Sequence, residues 1–179
     1  MPRKPEQNER IRQQTKHKII EAATETFMSK GYHAASIDDV AGHAGISKGL
    51  LYNYFKGKED LLASMVQGRI EELVRVMEAA SDLETPAEQL RYIVEGAIDN
   101  VRAKPQEFRF YLHLQTYPQS DEAVAKYGRM LIEEAANQFE VQCGMFEKLG
   151  ATDARKRSLY FSSALQGAML MISTYPEQF

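Results

Sequence analysis

Only one cysteine, Cys143, occurs in the 179 residues, so no intrachain disulfide can form. The thiol content fits a reducing cytoplasm. No apolar signal core follows Met1-Pro2-Arg3-Lys4-Pro5, which leads into polar residues. The longest uncharged stretch, Ser158 to Pro176, is interrupted by Ser158, Ser162, Ser163, Gln166, Ser173 and Thr174. It is marginal in length for a span of roughly 20 apolar residues and reads as a buried interface helix, not as a membrane segment. Strand-like alternation of apolar and polar residues is absent, and so are internal repeats and low-complexity tracts. The chain also lacks G-x-S-x-G, H-E-x-x-H, C-x-x-C and G-x-x-x-x-G-K-[ST], which argues against an enzyme and implies no cofactor. Gly42-His-Ala-Gly-Ile-Ser-Lys48 has a superficial likeness to a phosphate loop, but the spacing is wrong and no strand precedes it.

What is present is a globular composition, with 44% hydrophobic and 26% charged residues and a net charge of -3. The charge is uneven. Residues 1–60 hold ten lysines and arginines against eight acids, a balance of +2; the other 119 residues hold twelve against seventeen, a balance of -5. A basic front on an acidic body fits a local nucleic-acid footprint.

Apolar residues recur with helical spacing almost throughout, so the expected class is all-α. Residues 1–11 read as a loose basic arm. A first helix is expected from about Arg12 to Lys30, with Ile20, Ala23, Thr24 and Phe27 inward and Gly31 as its stop. Two short helices follow. A longer helix begins after Gly57, with Glu59 and Asp60 in its first turn and Leu62, Val66, Ile70, Leu73 and Met77 as its stripe. Thr85-Pro86-Ala87-Glu88 is a capping box with proline at the first helical position, ahead of Leu90, Ile93, Val94, Ala97, Ile98 and Val101. Pro105 opens a short helix that Tyr117-Pro118 closes. Ser120-Asp121-Glu122 starts a long helix that Gly150 stops, and Thr152-Asp153 starts the last, which runs to about Tyr175. No flexible linker is visible, so the domain boundary falls inside the helix after Gly57. The expected division is a DNA-binding domain over 1–57 and a helical body over 58–179.

The informative segment runs from Ser36 to Phe55. Ser36 caps a helix whose inner face is Ile37, Val40, Ala41 and Ala44; Ala41 is small where a second helix must cross. Gly45 sits at the tight turn and Ile46 plugs that turn into the core. Ser47 caps the second helix, and Leu51 and Phe55 point inward. Lys48, Gly49, Tyr52 and Asn53 then lie on the outer face with Tyr54 at its edge, the surface that a recognition helix offers to a major groove. Gly49 costs a helix about 1 kcal/mol relative to alanine, which is tolerable where a phosphate or base edge must come close.

Ile37-Asp-Asp-Val-Ala, Ala44-Gly-Ile-Ser-Lys-Gly, Leu51-Tyr-Asn-Tyr-Phe and Lys56-Gly-Lys-Glu-Asp-Leu-Leu together resemble the DNA-binding signature of the tetracycline-repressor (TetR/AcrR) family. The likeness covers roughly residues 12–65. It implies a three-helix helix-turn-helix domain followed by a helical bundle for dimerisation and ligand binding. It also implies that Ser36 contacts a phosphate, that Ser47 and Lys48 touch phosphate or base edges, that Tyr52 and Tyr54 contact the backbone and thymine methyls, and that Lys58 meets a phosphate. Lys48 is the best candidate for reading guanine. His33 and His43 read as surface or turn residues, with no third ligand for a metal.

For the body, the resemblance implies a homodimer and a small effector. The last helix supports dimerisation on its own account: Leu159, Tyr160, Phe161, Ala164, Leu165, Ala168, Met169, Met171 and Ile172 place apolar groups nearly all round it. Tyr160, Ala164, Gly167, Ala168 and Met171 are the interface candidates. Phe108, Phe110, Tyr111, His113, Tyr117, Tyr127, Met130, Phe139, Met145 and Phe146 supply aromatic rings and methionines for a pocket, which suggests a hydrophobic or aromatic effector. Pro176-Glu-Gln-Phe179 looks like the opening of a further helix of the kind that completes the family's dimer bundle, so the chain reads as a short member or a truncated one. The expected function is a cytoplasmic, ligand-responsive repressor on a palindromic operator in double-stranded DNA. The alternatives are a regulator without a small-molecule effector, protein-controlled or constitutive, and an activator.

Overall fold

The computed structural model describes residues 5–116 and 121–178; among them are eight α-helices and no strand. They are α1 (Pro5–Lys30), α2 (Ile37–His43), α3 (Lys48–Tyr52), α4 (Lys58–Ser81), α5 (Pro86–Ala103), α6 (Pro105–Thr116), α7 (Glu122–Lys148) and α8 (Ala154–Thr174). The expected helix end at Tyr117-Pro118, the start signal at Ser120 and the pocket candidate Tyr117 lie outside the described residues. The chain forms two compact units, Met1–Met65 and Val66–Phe179, so α4 contributes residues to both.

In the first unit α1 begins well before Arg12, and residues 5–11 are helical where a loose arm was expected. Pro5 stands at the first helical position, where a missing N–H costs nothing, and no glycine interrupts the polar turns that follow. The buried stripe of α1 is Ile19, Ala22, Ala23, Thr26 and Phe27, with Thr24 at its edge. Ile20, expected inside, is only half-buried, because the helix is rotated by one residue toward Ile19. Burying a side chain such as Ile19 or Phe27 stabilises the fold by about 1.5–3 kcal/mol. Gly31 then takes φ 78 and ends the helix. Val40, Leu51, Phe55, Leu61 and Leu62 complete this core, each at most 2% exposed.

The second unit buries two apolar clusters. Ala80, Leu90, Ile93 and Met145 form one, covered by Met77, Phe146, Phe161 and Leu165. Val101, Phe108 and Ile172 form the other, covered by Ile98, Leu112 and Met169. The start of α5 is held by its capping box: Thr85 Oγ1 accepts from the Glu88 backbone N–H, and the Thr85 backbone N–H donates to Glu88 Oε2. α7 ends before Gly150, which takes φ 80. α7 packs against α8 and α6, and α5 packs against both α7 and α8. No helix among the described residues is long and apolar enough to cross a membrane.

Candidate nucleic-acid interface and ligand cavity

The helix-turn-helix is built by two serine caps and one glycine. Ser36 Oγ accepts from the Asp39 backbone N–H, and Asp39 reaches back to the Ser36 N–H and hydroxyl. Lys30 Nζ, 2.6 Å from Asp39 Oδ1, ties this cap to the end of α1. Hydrogen bonds first from Lys30 and then from Ser36 hold the Asp39 carboxyl at about 2, below its ordinary range. Gly45 takes φ 63, a conformation that a side chain would strain, and so turns the chain from α2 toward α3. Ile46 is half-buried in that turn and does not plug fully into the core. Ser47 Oγ accepts from the Leu50 backbone N–H.

α3 is shorter than expected, ending at Tyr52, with Asn53 and Tyr54 in a turn whose N–H groups donate to Leu50 O and Leu51 O. Leu51 and Phe55 are buried as the spacing required. The other side of α3 is open. Ser36, Ser47, Lys48, Gly49 and Asn53 are exposed, Tyr52 is 48% exposed, and Tyr54 is half-buried. A Cβ at Gly49 would meet no atom within 4 Å, so nothing inside the chain demands glycine there. Leu50 is also exposed on this short helix, an apolar group that sequence periodicity did not single out.

Two lysines are already engaged. Lys48 Nζ lies 2.9 Å from Asp38 Oδ2 of α2, and that hydrogen bond raises its basicity, so it remains a cation. Lys58 Nζ donates to Tyr32 O and His33 O at 2.9 and 3.0 Å and sits 4.9 Å from the centre of the Tyr32 ring. It therefore fastens the start of α4 to the turn after α1. His43 pairs with Glu25 at 2.7 Å and faces Thr26 Oγ1, and His33 is exposed beside the Tyr32 ring.

The second unit contains a cavity of about 330 Å³ walled by residues of α4, α5, α6, α7 and α8. Of the expected pocket residues, Phe108, Tyr111 and Phe139 line it. His113 does not, because it points to the exposed side of α6. Tyr127 is buried but away from the cavity, Met130 is half-buried on another face of α7, and Met145 is consumed by the cluster around Ala80. The apolar lining includes Leu73, Val76, Ile93, Leu131 and Leu165.

The polar part of the lining escaped sequence reading, which singled out aromatic rings and methionines. Arg69 Nη1 donates to Glu72 Oε2 at 2.7 Å and to Asn100 Oδ1 at 3.4 Å, while Asn100 Nδ2 donates to Glu72 Oε1 at 2.9 Å. The Arg69 guanidinium also lies 5.8 Å from the Tyr111 ring centre. Burial, foremost, raises the Tyr111 hydroxyl above its ordinary range, so it stays protonated. Opposite, Gln142 is buried and its Oε1 accepts from Ser162 at 2.8 Å. The available signal was Arg69 and Glu72 at i, i+3, with Arg69 bordering the expected apolar stripe of α4, and Asn100 beside Val101.

The first unit has the helix-turn-helix arrangement that DNA-binding domains use, followed by an all-helical second unit. Residues 19–65 match the model of "Bacterial regulatory proteins, tetR family". The HTH-type transcriptional activator FasR of Mycolicibacterium smegmatis is 33% identical over 99 residues, 55% of this chain and 45% of that one. The matched segments span less than half the length of the first curated relatives. A TetR-like transcriptional regulator from Rhodococcus sp. RHA1 has the same fold, with TM-score 0.75, 22% identity and coverage of 89% and 84% of the two chains. So does the regulator FadR from Bacillus subtilis, solved in complex with stearoyl-CoA, at TM-score 0.68 and 19% identity, covering 91% and 89%. Residues 19–65 are thus similar to the DNA-binding segment of TetR-family regulators, and the fold is that of the solved TetR-like structures.

Proposed function

We propose that this chain is a transcription regulator that binds a palindromic operator as a homodimer and represses until a small molecule releases it. The observation that carries the reading is the open face of α3: capped serines, a lysine, an unobstructed glycine and an exposed tyrosine, in the segment that matches the family. Helix N-termini and lysine suit phosphates, and tyrosine suits a thymine methyl. Two such helices, one per protomer, enter successive major grooves about one turn apart. Ser36, Ser47, Lys48, Gly49, Tyr52, Asn53, Tyr54 and Lys58 are the proposed contacts. Lys48 leaves Asp38 to do so, exchanging a carboxylate for a base-edge or phosphate acceptor.

Dimerisation is supported by α8, where Tyr160, Ala164, Gly167, Ala168 and Met171 all lie exposed, Tyr160 by 58% and Met171 by 46%. The effector enters the cavity of the second unit, and α4 carries the response. The effector shifts the DNA-competent population only as far as its affinities for the two states differ. The test is a titration on the protein's own upstream promoter and on scrambled DNA at two salt concentrations. An excess of roughly a thousandfold for the promoter is expected. Weak and equal binding to both, persisting across a selected random-sequence library, rules the reading out.

A second reading, activation, is favoured by the relative FasR, which is named an activator. Transcript levels of the neighbouring gene after deletion separate the two, rising for a repressor and falling for an activator.

A further inference from the structure

The cavity lining pairs its charges internally. Arg69 and Glu72 are its only charged lining residues among those described, and they are spent on each other at 2.7 Å, with Asn100 bridging the pair. The lining is therefore electrically neutral. Its remaining polar capacity is dominated by carboxamides. Gln142 gives its oxygen to Ser162, which leaves its amide N–H groups as donors on that wall; Gln138 donates to Glu134, behind it. Gln115 and Gln166 add two more groups that both donate and accept. Around these lie the rings and aliphatic groups of the apolar lining.

We infer that the occupant of this cavity is an uncharged amphipathic molecule, an apolar chain or ring bearing an amide, ester, ketone or hydroxyl group. The inference rests on the ligand-responsive reading above and narrows it to a chemical class. A carboxylate brings a net negative charge to a site whose single cation is already neutralised, and Glu134 adds a second anion at the Gln138 side. Desolvating an uncompensated charge is costly, whereas a neutral carbonyl is matched by the carboxamide donors. The apolar area is what binds, and the carboxamides fix orientation.

The experiment is calorimetric titration of the full chain alone, without DNA, using three probes of one chain length: octanamide, octanoate and octanoyl-coenzyme A. Octanamide is expected to bind at least tenfold more tightly than octanoate or the thioester. In Glu72→Gln, which unmasks Arg69 without changing side-chain size, the ratio of octanamide to octanoate affinity is expected to fall at least tenfold. Thermal melting checks that the variant is folded. Tighter binding of octanoate or octanoyl-coenzyme A to the unmodified chain overturns the inference, and so does failure of octanamide to bind it. Loss of site-specific DNA binding with the amide preference intact would instead remove the regulatory reading and spare this one.

Discussion

At the scale of single residues, two lysines proposed to contact DNA are held in different ways. Lys48 is exposed and held by one carboxylate, a contact that a base edge can replace. Lys48→Ala is therefore expected to lose about 1–3 kcal/mol of discrimination at one operator position. Competition binding on operators varied one base pair at a time reads this directly. Lys58 is anchored by two carbonyls, so Lys58→Met is expected to destabilise the first unit by about 1–3 kcal/mol as well as to weaken all DNA sequences alike. Denaturant unfolding measures the first effect and the salt slope of DNA binding the second. Equal losses on operator and random DNA for both variants would show that the two lysines share one role. Asp39 adds a pH test. Its carboxyl is held at about 2 in the folded chain against 3.8 ordinarily, first by Lys30 and then by Ser36. A depressed carboxylate contributes stability above its unfolded value and loses it as pH falls through the folded one. The stability gap between the unmodified chain and Asp39→Asn is thus expected to be full above about pH 4 and gone near pH 2. A gap that is independent of pH in urea melts across this window would mean that the ionised carboxylate does not hold the cap.

At the scale of elements, local signals were legible where chemistry is local. The cap at Ser36, the capping box at Thr85, the stops at Gly31 and Gly150, and the turn at Gly45 each depend on one or two neighbouring residues, and each was readable from its own segment; the return bond from Asp39 that makes Ser36 a full capping box was not singled out. The rotation of α1 was not, because Ile19 and Ile20 are equally apolar and only tertiary packing chooses between them. Nor was the pairing of Arg69 with Asn100, which joins residues 31 apart in sequence through the crossing of α4 and α5. The crossing of α6 and α7 is of the same kind. A Cβ at Gly128 would run into the Leu114 carbonyl oxygen, which belongs to the backbone and cannot rotate away. Gly128→Ala is therefore expected to cost about 1–3 kcal/mol by forcing the two helices apart. Gly49→Ala, with no atom in reach, is expected to hold or gain stability. A chemical-denaturation midpoint for each variant decides it, and equal midpoints would show that the α6–α7 crossing yields easily.

At the scale of the whole molecule, the question is why α8 carries apolar groups on two sides. Phe161, Leu165, Met169 and Ile172 turn inward and join the two clusters of the second unit. Leu159, Tyr160, Leu170, Met171 and Tyr175 remain exposed around the small residues Ala164, Gly167 and Ala168. Exposed large side chains that flank a strip of small ones suit the close approach of a second helix, and a symmetric pair of α8 helices supplies it with the same patch on both sides. A Cβ at Gly167 meets nothing within 4 Å inside the chain, so Gly167→Glu is tolerated by the protomer but places two carboxylates in the proposed dimer seam. The expected result is a folded monomer by analytical ultracentrifugation, with an unchanged helical signal. Since a palindromic operator is held through two half-sites at once, the monomer is expected to lose roughly a hundredfold or more in operator affinity, with its binding to random DNA little altered. A Gly167→Glu chain that remains dimeric would remove α8 from the interface and leave its exposed apolar face to some other partner.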